Sequence, residues 1–326
     1  MASAPGTIAK VGAIPVIDLL AGSAAEQIVE AAEEVGFFSI IGHEVDRTTR
    51  ATLRSAVVEL FSVSDEDKHR QAITRDNYRG FIPLGFFTPN RAERDEQADL
   101  YEGFKLHWEV DASDPICELS PIYGPNRWPD HPQNLPNAVG AYWAACDRVA
   151  SRLVGIFEDA LGQPAGSMLD RFEFPVTNMT LLHYPPSDGS AMGIHPHKDT
   201  NVLTILEPDA LGGLFVRTRE GEWIEPKPPP GALVINIGDM LEVWSGGRFV
   251  STPHKVINTS GKDRYAYPWF MAPSHDQLIE PLVESQPGFT RSEPIEVGPW
   301  SLEVWRTNWS DATAKNQDLH LGTLDQ

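Results

Sequence analysis

The sequence predicts a mixed α+β protein: a β-sandwich or jelly roll with helices packed on its outside. Three observations lead there. Helical periodicity marks the N-terminal segments around Ile28 and Leu53. A long apolar stripe at a spacing of three to four then runs from Val139 to Leu161. From Val176 to Met271 the pattern changes to short apolar runs broken by Gly and Pro, the texture of an all-β region.

Taken in order, Ile14-Pro15-Val16-Ile17-Asp18-Leu19 alternates apolar residues and carries an early Pro, which suits a short edge strand. Ser23 and Glu26 have capping-box spacing ahead of Ile28, Ala31, Ala32 and Val35, and Gly36 stops that helix. Phe37–Ile41 reads as a strand. A second helix starts near Asp46 and buries Leu53, Val57, Leu60 and Phe61; Ser64 and Asp67 cap a short third turn. From Asn77 to Pro136 the chain reads as irregular and Pro-rich, a lid or wall around a site. Asn134 and Pro136 open the long helix near 134–162, whose stripe is Val139, Trp143, Cys146, Ala150, Leu153, Phe157 and Leu161; Gly162 and Pro164 end it. Strands are expected at Met179–Tyr184, Val202–Leu206, Leu214–Arg217, Ala232–Ile237 and Tyr265–Met271.

With 326 residues, 41% of them hydrophobic, the chain can bury a large core. Its 26 basic and 46 acidic side chains give a net charge of −20, which repels nucleic acid and anionic membrane. Lys105 beside Trp108, and Arg127 beside Trp128, are therefore poor signs of nucleic-acid binding. Cys117 and Cys146 form no CxxC pair and read as small core residues in a reducing compartment. The N-terminal residues have no signal-peptide pattern, and no apolar run reaches the ~18 residues of a membrane span. The expectation is a cytoplasmic, soluble protein with a small-molecule substrate, acting as a monomer or homodimer.

The chemistry concentrates in Gly193-Ile194-His195-Pro196-His197-Lys198-Asp199. Residues two apart in a strand face one side, so His197 and Asp199 point together and Lys198 turns away. Two His and one carboxylate on one face of an octahedral iron(II) leave three positions for substrates and O2. The third ligand must come from another strand, and His254 in Thr252-Pro253-His254-Lys255-Val256 is placed to return. Ordinary surface or core histidines are the alternative, because His-x-Asp is short enough to recur by chance.

The surrounding motifs resemble those of the isopenicillin N synthase-like family of non-haem Fe(II)/2-oxoglutarate-dependent dioxygenases. The resemblance covers nearly the whole chain. It is carried by Ile14–Leu19, Gly36–His43, Asp65–Lys68, Tyr78-Arg79-Gly80-Phe81, His183-Tyr184-Pro185-Pro186, His197-Lys198-Asp199, Leu203–Leu206, Gly212-Gly213-Leu214, Asn236-Ile237-Gly238-Asp239 and His254-Lys255-Val256, in the family's order. It implies a double-stranded β-helix (jelly roll) core with flanking helices. The implied division is 1–125 as N-terminal region, 126–290 as catalytic core and 291–326, with Trp300, Trp305 and Trp309, as a C-terminal lid. It further implies His197, Asp199 and His254 as iron ligands, Fe(II), 2-oxoglutarate and O2 as the cofactor and co-substrates, and a role in secondary metabolism. The implied reaction hydroxylates or desaturates a C–H bond while releasing succinate and CO2.

By the same resemblance Arg264 takes the distal carboxylate of 2-oxoglutarate. A guanidinium can grip it through two parallel hydrogen bonds. A surface salt bridge is the plainer alternative. Tyr184 keeps the position whose hydroxyl helps hold 2-oxoglutarate. The family's usual Arg-x-Ser is Arg264-Tyr265-Ala266 here, and Leu182 stands where plant members often carry Asn. Alternation puts Asn178, Thr180, Leu182 and Tyr184 on one face, so Asn178 and Thr180 are substrate-side candidates. Tyr101, Phe104, Phe270 and Trp305 are candidate pocket walls, with core packing as their alternative; together they suggest a small, largely apolar substrate. His195 resembles the start of a cupin motif, but the expected Glu is missing, so it reads as supporting or lining the site. Two other functions remain open. One is an iron-dependent oxidase of this fold that dispenses with 2-oxoglutarate, kept alive by Ala266. The other is a non-catalytic β-sandwich binding protein with a vestigial site.

Overall fold

The computed structural model describes residues 9–11, 14–87, 98–290 and 294–307. Strands β1 (Ala9–Val11) and β2 (Ile14–Asp18) lead into α1 (Ala24–Glu34), β3 (Phe37–Ile41), α2 (Arg47–Ser62) and the short α3 (Asp65–His69). Strands β4 (Gly80–Ile82) and β5 (Glu102–His107) precede the long α4 (Leu135–Ala160). Next come β6 (Asn178–Tyr184), β7 (Ile194–His197), β8 (Leu203–Leu206), β9 (Leu214–Arg217), β10 (Trp223–Ile224) and β11 (Leu233–Ile237). Helix α5 (Asp239–Trp244) separates these from β12 (His254–Val256), β13 (Arg264–Ala266), β14 (Trp269–Met271) and β15 (Leu278–Ile279). Strand β16 (Ile295–Glu296) and α6 (Val297–Thr307) close the described chain.

The helix ends follow local chemistry. The Asp46 carboxylate accepts from the Thr48 and Thr49 amides at the start of α2, and Ser64 accepts from the Asp67 amide at the start of α3. Gly36 stops α1 with φ +69° while its amide donates back to the Ala31 carbonyl. The expected capping box at Ser23 does not form. Its backbone (φ −97°, ψ 12°) lacks the extended conformation that aims a side-chain oxygen at the free amides, and Ser23 accepts from the Gln27 side chain instead.

Helix α4 buries Val139, Cys146, Ala150, Leu153 and Phe157 as its periodicity requires. It braces the outer face of the sheet: Tyr142 meets Tyr267 edge-on at 5.6 Å, and the half-buried Trp143 meets Trp269 at 5.9 Å. Cys146 is buried, Cys117 is half-buried, and both are free thiols.

Two sheets face each other as a jelly roll. Among the described residues the large sheet has ten strands, ordered β1-β2-β3-β11-β8-β14-β6-β5-β4, with β13 also paired to β6. The small one is β10-β9-β12-β7. The mixed α+β jelly roll with an external long helix is therefore observed. Three local expectations need correction. Ile14–Asp18 is not the edge strand, because β1 pairs on its outer side and β3 runs parallel on its inner side. The stretch after Asn77 is not irregular throughout: β5 pairs with β6 along its whole length. The Tyr265–Met271 run is two strands, since the chain bends at Tyr267-Pro268, where Pro has no amide to continue the ladder. Of the segment 291–326, residues 294–307 are described and 295–307 form β16 and α6; Trp309 and the rest lie outside the described residues.

Candidate metal centre and active-site cavity

Register brings the three candidate ligands together. His254 on β12 sits directly opposite His197 on β7, and Asp199 follows β7 by two residues. Their ligand atoms all lie within 4.8 Å of one another. Asp199 Oδ1 is 3.8 Å from His197 Nε2 and 3.7 Å from His254 Nε2. Lys198 turns to the other side, where its ammonium meets Glu242 at 2.9 Å and Asp239 at 3.4 Å.

The hydrogen bonds around the cluster orient each donor inward. His197 Nδ1 lies 2.8 Å from the His195 carbonyl, and His254 Nδ1 lies 3.2 Å from the Thr252 carbonyl. A carbonyl only accepts, so each Nδ1 carries a proton and Nε2 is the nitrogen left to face the cluster. Asp199 Oδ2 accepts from Thr204 Oγ1 at 2.5 Å and Asn236 Nδ2 at 2.8 Å, which leaves Oδ1 for the cluster. Burial alone would raise the Asp199 carboxyl, but His254, His197 and these two hydrogen bonds outweigh it and hold the pKa below the usual range. Burial lowers His197, and the neighbouring His254 adds to this. A carboxylate and two neutral imidazoles is the protonation state a divalent transition metal requires.

The roles of Thr204 and Asn236 were not readable from the sequence, although both stand in the motifs that carried the resemblance. They sit on β8 and β11 of the large sheet, across the cavity from the histidines on the small sheet. Asn236→Ala removes one of the two donors that fix Asp199. Partners of this kind are typically worth about 10–100-fold in metal affinity. That weakening is expected in competition against a chelator, with the fold retained.

The cavity lies between the two sheets, with a volume of about 150 Å³. Beyond the cluster its walls include Tyr184, Arg264 and Ala266, and a mostly apolar set with Tyr101, Leu182 and Phe270. Arg264 is 2% exposed and sits opposite Tyr184 in the β13–β6 register. Its Nε donates to the Gly212 carbonyl at 2.7 Å and its guanidinium lies 4.7 Å from the Tyr184 ring centre. Gly213 makes room for this: at φ +85°, a Cβ there would meet Arg264 Nε at 3.3 Å and the Ile257 carbonyl at 2.6 Å. Arg264 Nη1 is buried with no hydrogen-bond partner among the described residues. A buried cationic donor left unpaired is costly unless a ligand completes it. A carboxylate at the end of the cavity supplies what is missing, so the residues fit both an iron(II) and a dicarboxylate co-substrate. Burial pushes the Tyr184 phenol up to about 12, so it stays protonated and able to donate.

The other candidates divide. Tyr101, Thr180 and Phe270 line the cavity. Asn178 is not among the lining residues; it accepts from Lys105, which also donates to the lining Thr180. Phe104 does not face it: it is 1% exposed and packs in the main core, because its neighbour Lys105 takes the opposite face of β5. Trp305 does not line the cavity either; it stacks on Tyr78 at 4.9 Å and meets His107 at 4.7 Å. His195 points to Asp99, whose Oδ1 is 2.6 Å from His195 Nδ1 and 3.0 Å from its amide.

Comparison with known proteins gives the chain's relatives. The profile of the 2OG-Fe(II) oxygenase superfamily matches residues 176–273, and that of the non-haem dioxygenase N-terminal region, described for morphine synthesis, matches residues 14–131. A homoarginine-6-hydroxylase of Arabidopsis thaliana is 30% identical over 275 residues, 82% of this chain and 74% of that protein. The 2'-deoxymugineic-acid 2'-dioxygenase of Hordeum vulgare is 28% identical, over 86% and 79% of the two chains. Among solved structures, the Neurospora crassa T7H complex with alpha-KG superposes with TM-score 0.77 at 21% identity, over 92% of this chain and 99% of that one. The JOX2 complex with 2OG, Fe and JA superposes with TM-score 0.75 at 25% identity, over 90% and 85%.

Proposed function

The chain belongs to the 2OG-Fe(II) oxygenase superfamily, and on that premise we propose that His197, Asp199 and His254 hold its iron and that Arg264 and Tyr184 hold its 2-oxoglutarate. The protein is an Fe(II)- and 2-oxoglutarate-dependent oxygenase that oxidises a C–H bond of a small organic molecule. One observation carries the residue assignment: a converging His-Asp-His cluster and an unpartnered buried guanidinium nitrogen belong to the same cavity.

When bound, iron(II) with 2-oxoglutarate and O2 supplies the oxidation, in which 2-oxoglutarate yields succinate and CO2 and the substrate C–H is hydroxylated or desaturated. The chain's residues do the placing. Asp199 Oδ1 and the two Nε2 atoms present three donors on one side and leave the cavity side open. Arg264 fixes the far carboxylate with a planar pair of donors, and Tyr184 offers its hydroxyl beside it. The apolar walls at Leu182, Ile194, Leu206 and Val256 keep water from the reacting centre. This favours a substrate with a largely apolar body.

The proposal extends to the setting: a cytoplasmic enzyme of secondary metabolism, monomeric or homodimeric, divided at 125/126 and 290/291, with no nucleic-acid or membrane partner. The −20 charge speaks against a nucleic-acid or anionic-membrane partner, and no helix among the described residues is long and apolar enough to cross a membrane. In a reaction with iron(II), O2 and 2-oxoglutarate, succinate should form in step with oxidised substrate. Substrate oxidised with no succinate would instead favour the oxidase that dispenses with 2-oxoglutarate.

A further inference from the structure

Lys105 reads in the sequence as a basic neighbour of Trp108, with no place in the site. The structure puts its ammonium against two residues of the cavity wall, Thr180 and Phe270. It stands on β5 directly opposite Thr180 on β6, and residues paired in register present their side chains to the same face. Its Nζ donates to Asn178 Oδ1 at 2.6 Å and Thr180 Oγ1 at 3.1 Å, and lies 5.3 Å from the centre of the Phe270 ring. Thr180 and Phe270 both line the cavity.

An ammonium has three donors. Two are used on Asn178 and Thr180, and among the described residues the third has no acceptor and no carboxylate lies in ion-pair range. Lys105 is half-buried. Desolvation draws its pKa down to about 7, with only a long-range pull from Asp199 in the other direction. A cation partly withdrawn from water without a counter-charge is costly, and a ligand that brings one relieves that cost.

We propose that Lys105, held by Asn178 and Thr180, is the anchor for a carboxylate on the substrate, so that the enzyme takes a small organic acid with an apolar body. The proposal rests on the oxygenase reading above and deepens it. Strand β6 sets the geometry. Tyr184, beside Arg264, and Thr180, beside Lys105, are four residues apart, roughly 13 Å at the usual rise of a strand. The two cations therefore address different carboxylates, the co-substrate's at Arg264 and the substrate's at Lys105. The apolar walls between them, Tyr101, Leu182 and Phe270, cover the body of the acid. One ammonium and one hydroxyl match a single negative charge.

The test titrates benzoate, phenylacetate and 3-phenylpropanoate, each against its neutral primary amide, into anaerobic protein loaded with iron(II) and 2-oxoglutarate. Binding is read by calorimetry, and the weak visible absorption of the loaded centre is followed in parallel. At least one acid should bind roughly 10- to 100-fold more tightly than its amide, the range of a charge-assisted hydrogen bond. Lys105→Met should bring acid and amide to within about twofold, Lys105→Arg should keep a preference for the acid, and the visible band should stay in both. Wild-type protein that takes none of the acids, or takes acid and amide alike, overturns the proposal, as does an acid preference that survives in Lys105→Met. If the visible band itself fails to form in the wild type, the oxygenase site assignment has failed; an intact band without acid preference means that Lys105 alone was misread.

Discussion

Asp199→Ala is expected to leave no succinate formation above background. The substitution removes the only negative charge from the proposed ligand set and leaves two neutral imidazoles, a donor set too weak to retain iron(II). Iron affinity should fall by more than the ~10–100-fold that loss of a supporting partner costs. The change also takes the acceptor from Thr204 and Asn236, both buried, at about 1–3 kcal/mol for each unsatisfied donor. Asp199→Ala should therefore lower thermal stability as well. Asn236→Ala should not lose activity in the same way, because Asp199 keeps its bond from Thr204. Metal content and succinate production, measured on folded protein of both variants, separate the two effects.

Arg264→Lys has the second largest expected effect, and it falls on the co-substrate. A lysine ammonium cannot reproduce the planar pair of donors, and it would leave the Gly212 carbonyl without the bond it now accepts from Nε. Hydrogen bonds to charged groups contribute about 1.5–3 kcal/mol, which corresponds to a KM for 2-oxoglutarate raised roughly 10- to 100-fold. The effect should lie toward the upper part of that range. Ala266 stands where the family usually supplies a serine hydroxyl, and it is buried opposite Leu182 with no polar atom on its side chain. The arginine thus carries the carboxylate with less help than is usual. Steady-state kinetics with 2-oxoglutarate as the varied component measures this directly, and an unchanged KM would remove Arg264 from the co-substrate site.

The core strands were legible because each carries its own signal. Leu214–Arg217 appears with the bounds read from its apolar run, and the alternation in β6 put Thr180, Leu182 and Tyr184 on the side that lines the cavity. That His197, Asp199 and His254 come together, with ligand atoms within 4.8 Å of one another, followed from the order of the family's motifs rather than from His-x-Asp alone. What stayed hidden depends on pairing between distant segments. Strand β5 lies in a Pro-rich stretch with no clear alternation of its own, so its sequence does not fix which residues face the cavity. The sequence suggests Phe104 for the pocket, whereas Lys105, one residue on, takes that face. The second oxygen of Asp199 finds its donors on two other strands, and Asp99 reaches His195 across a long separation. No local pattern encodes such contacts. Ser23 shows the converse: the capping spacing is present, but the backbone angle that would use it is not.

The central claim is that one cavity holds iron(II) on His197, Asp199 and His254 and 2-oxoglutarate on Arg264. Anaerobic titration of the protein with iron(II) and 2-oxoglutarate, followed in the visible region, tests it most directly. The claim predicts a weak absorption band that saturates at one equivalent of each and is absent in Asp199→Ala. No band in the wild type, or an undiminished band in Asp199→Ala, would contradict it.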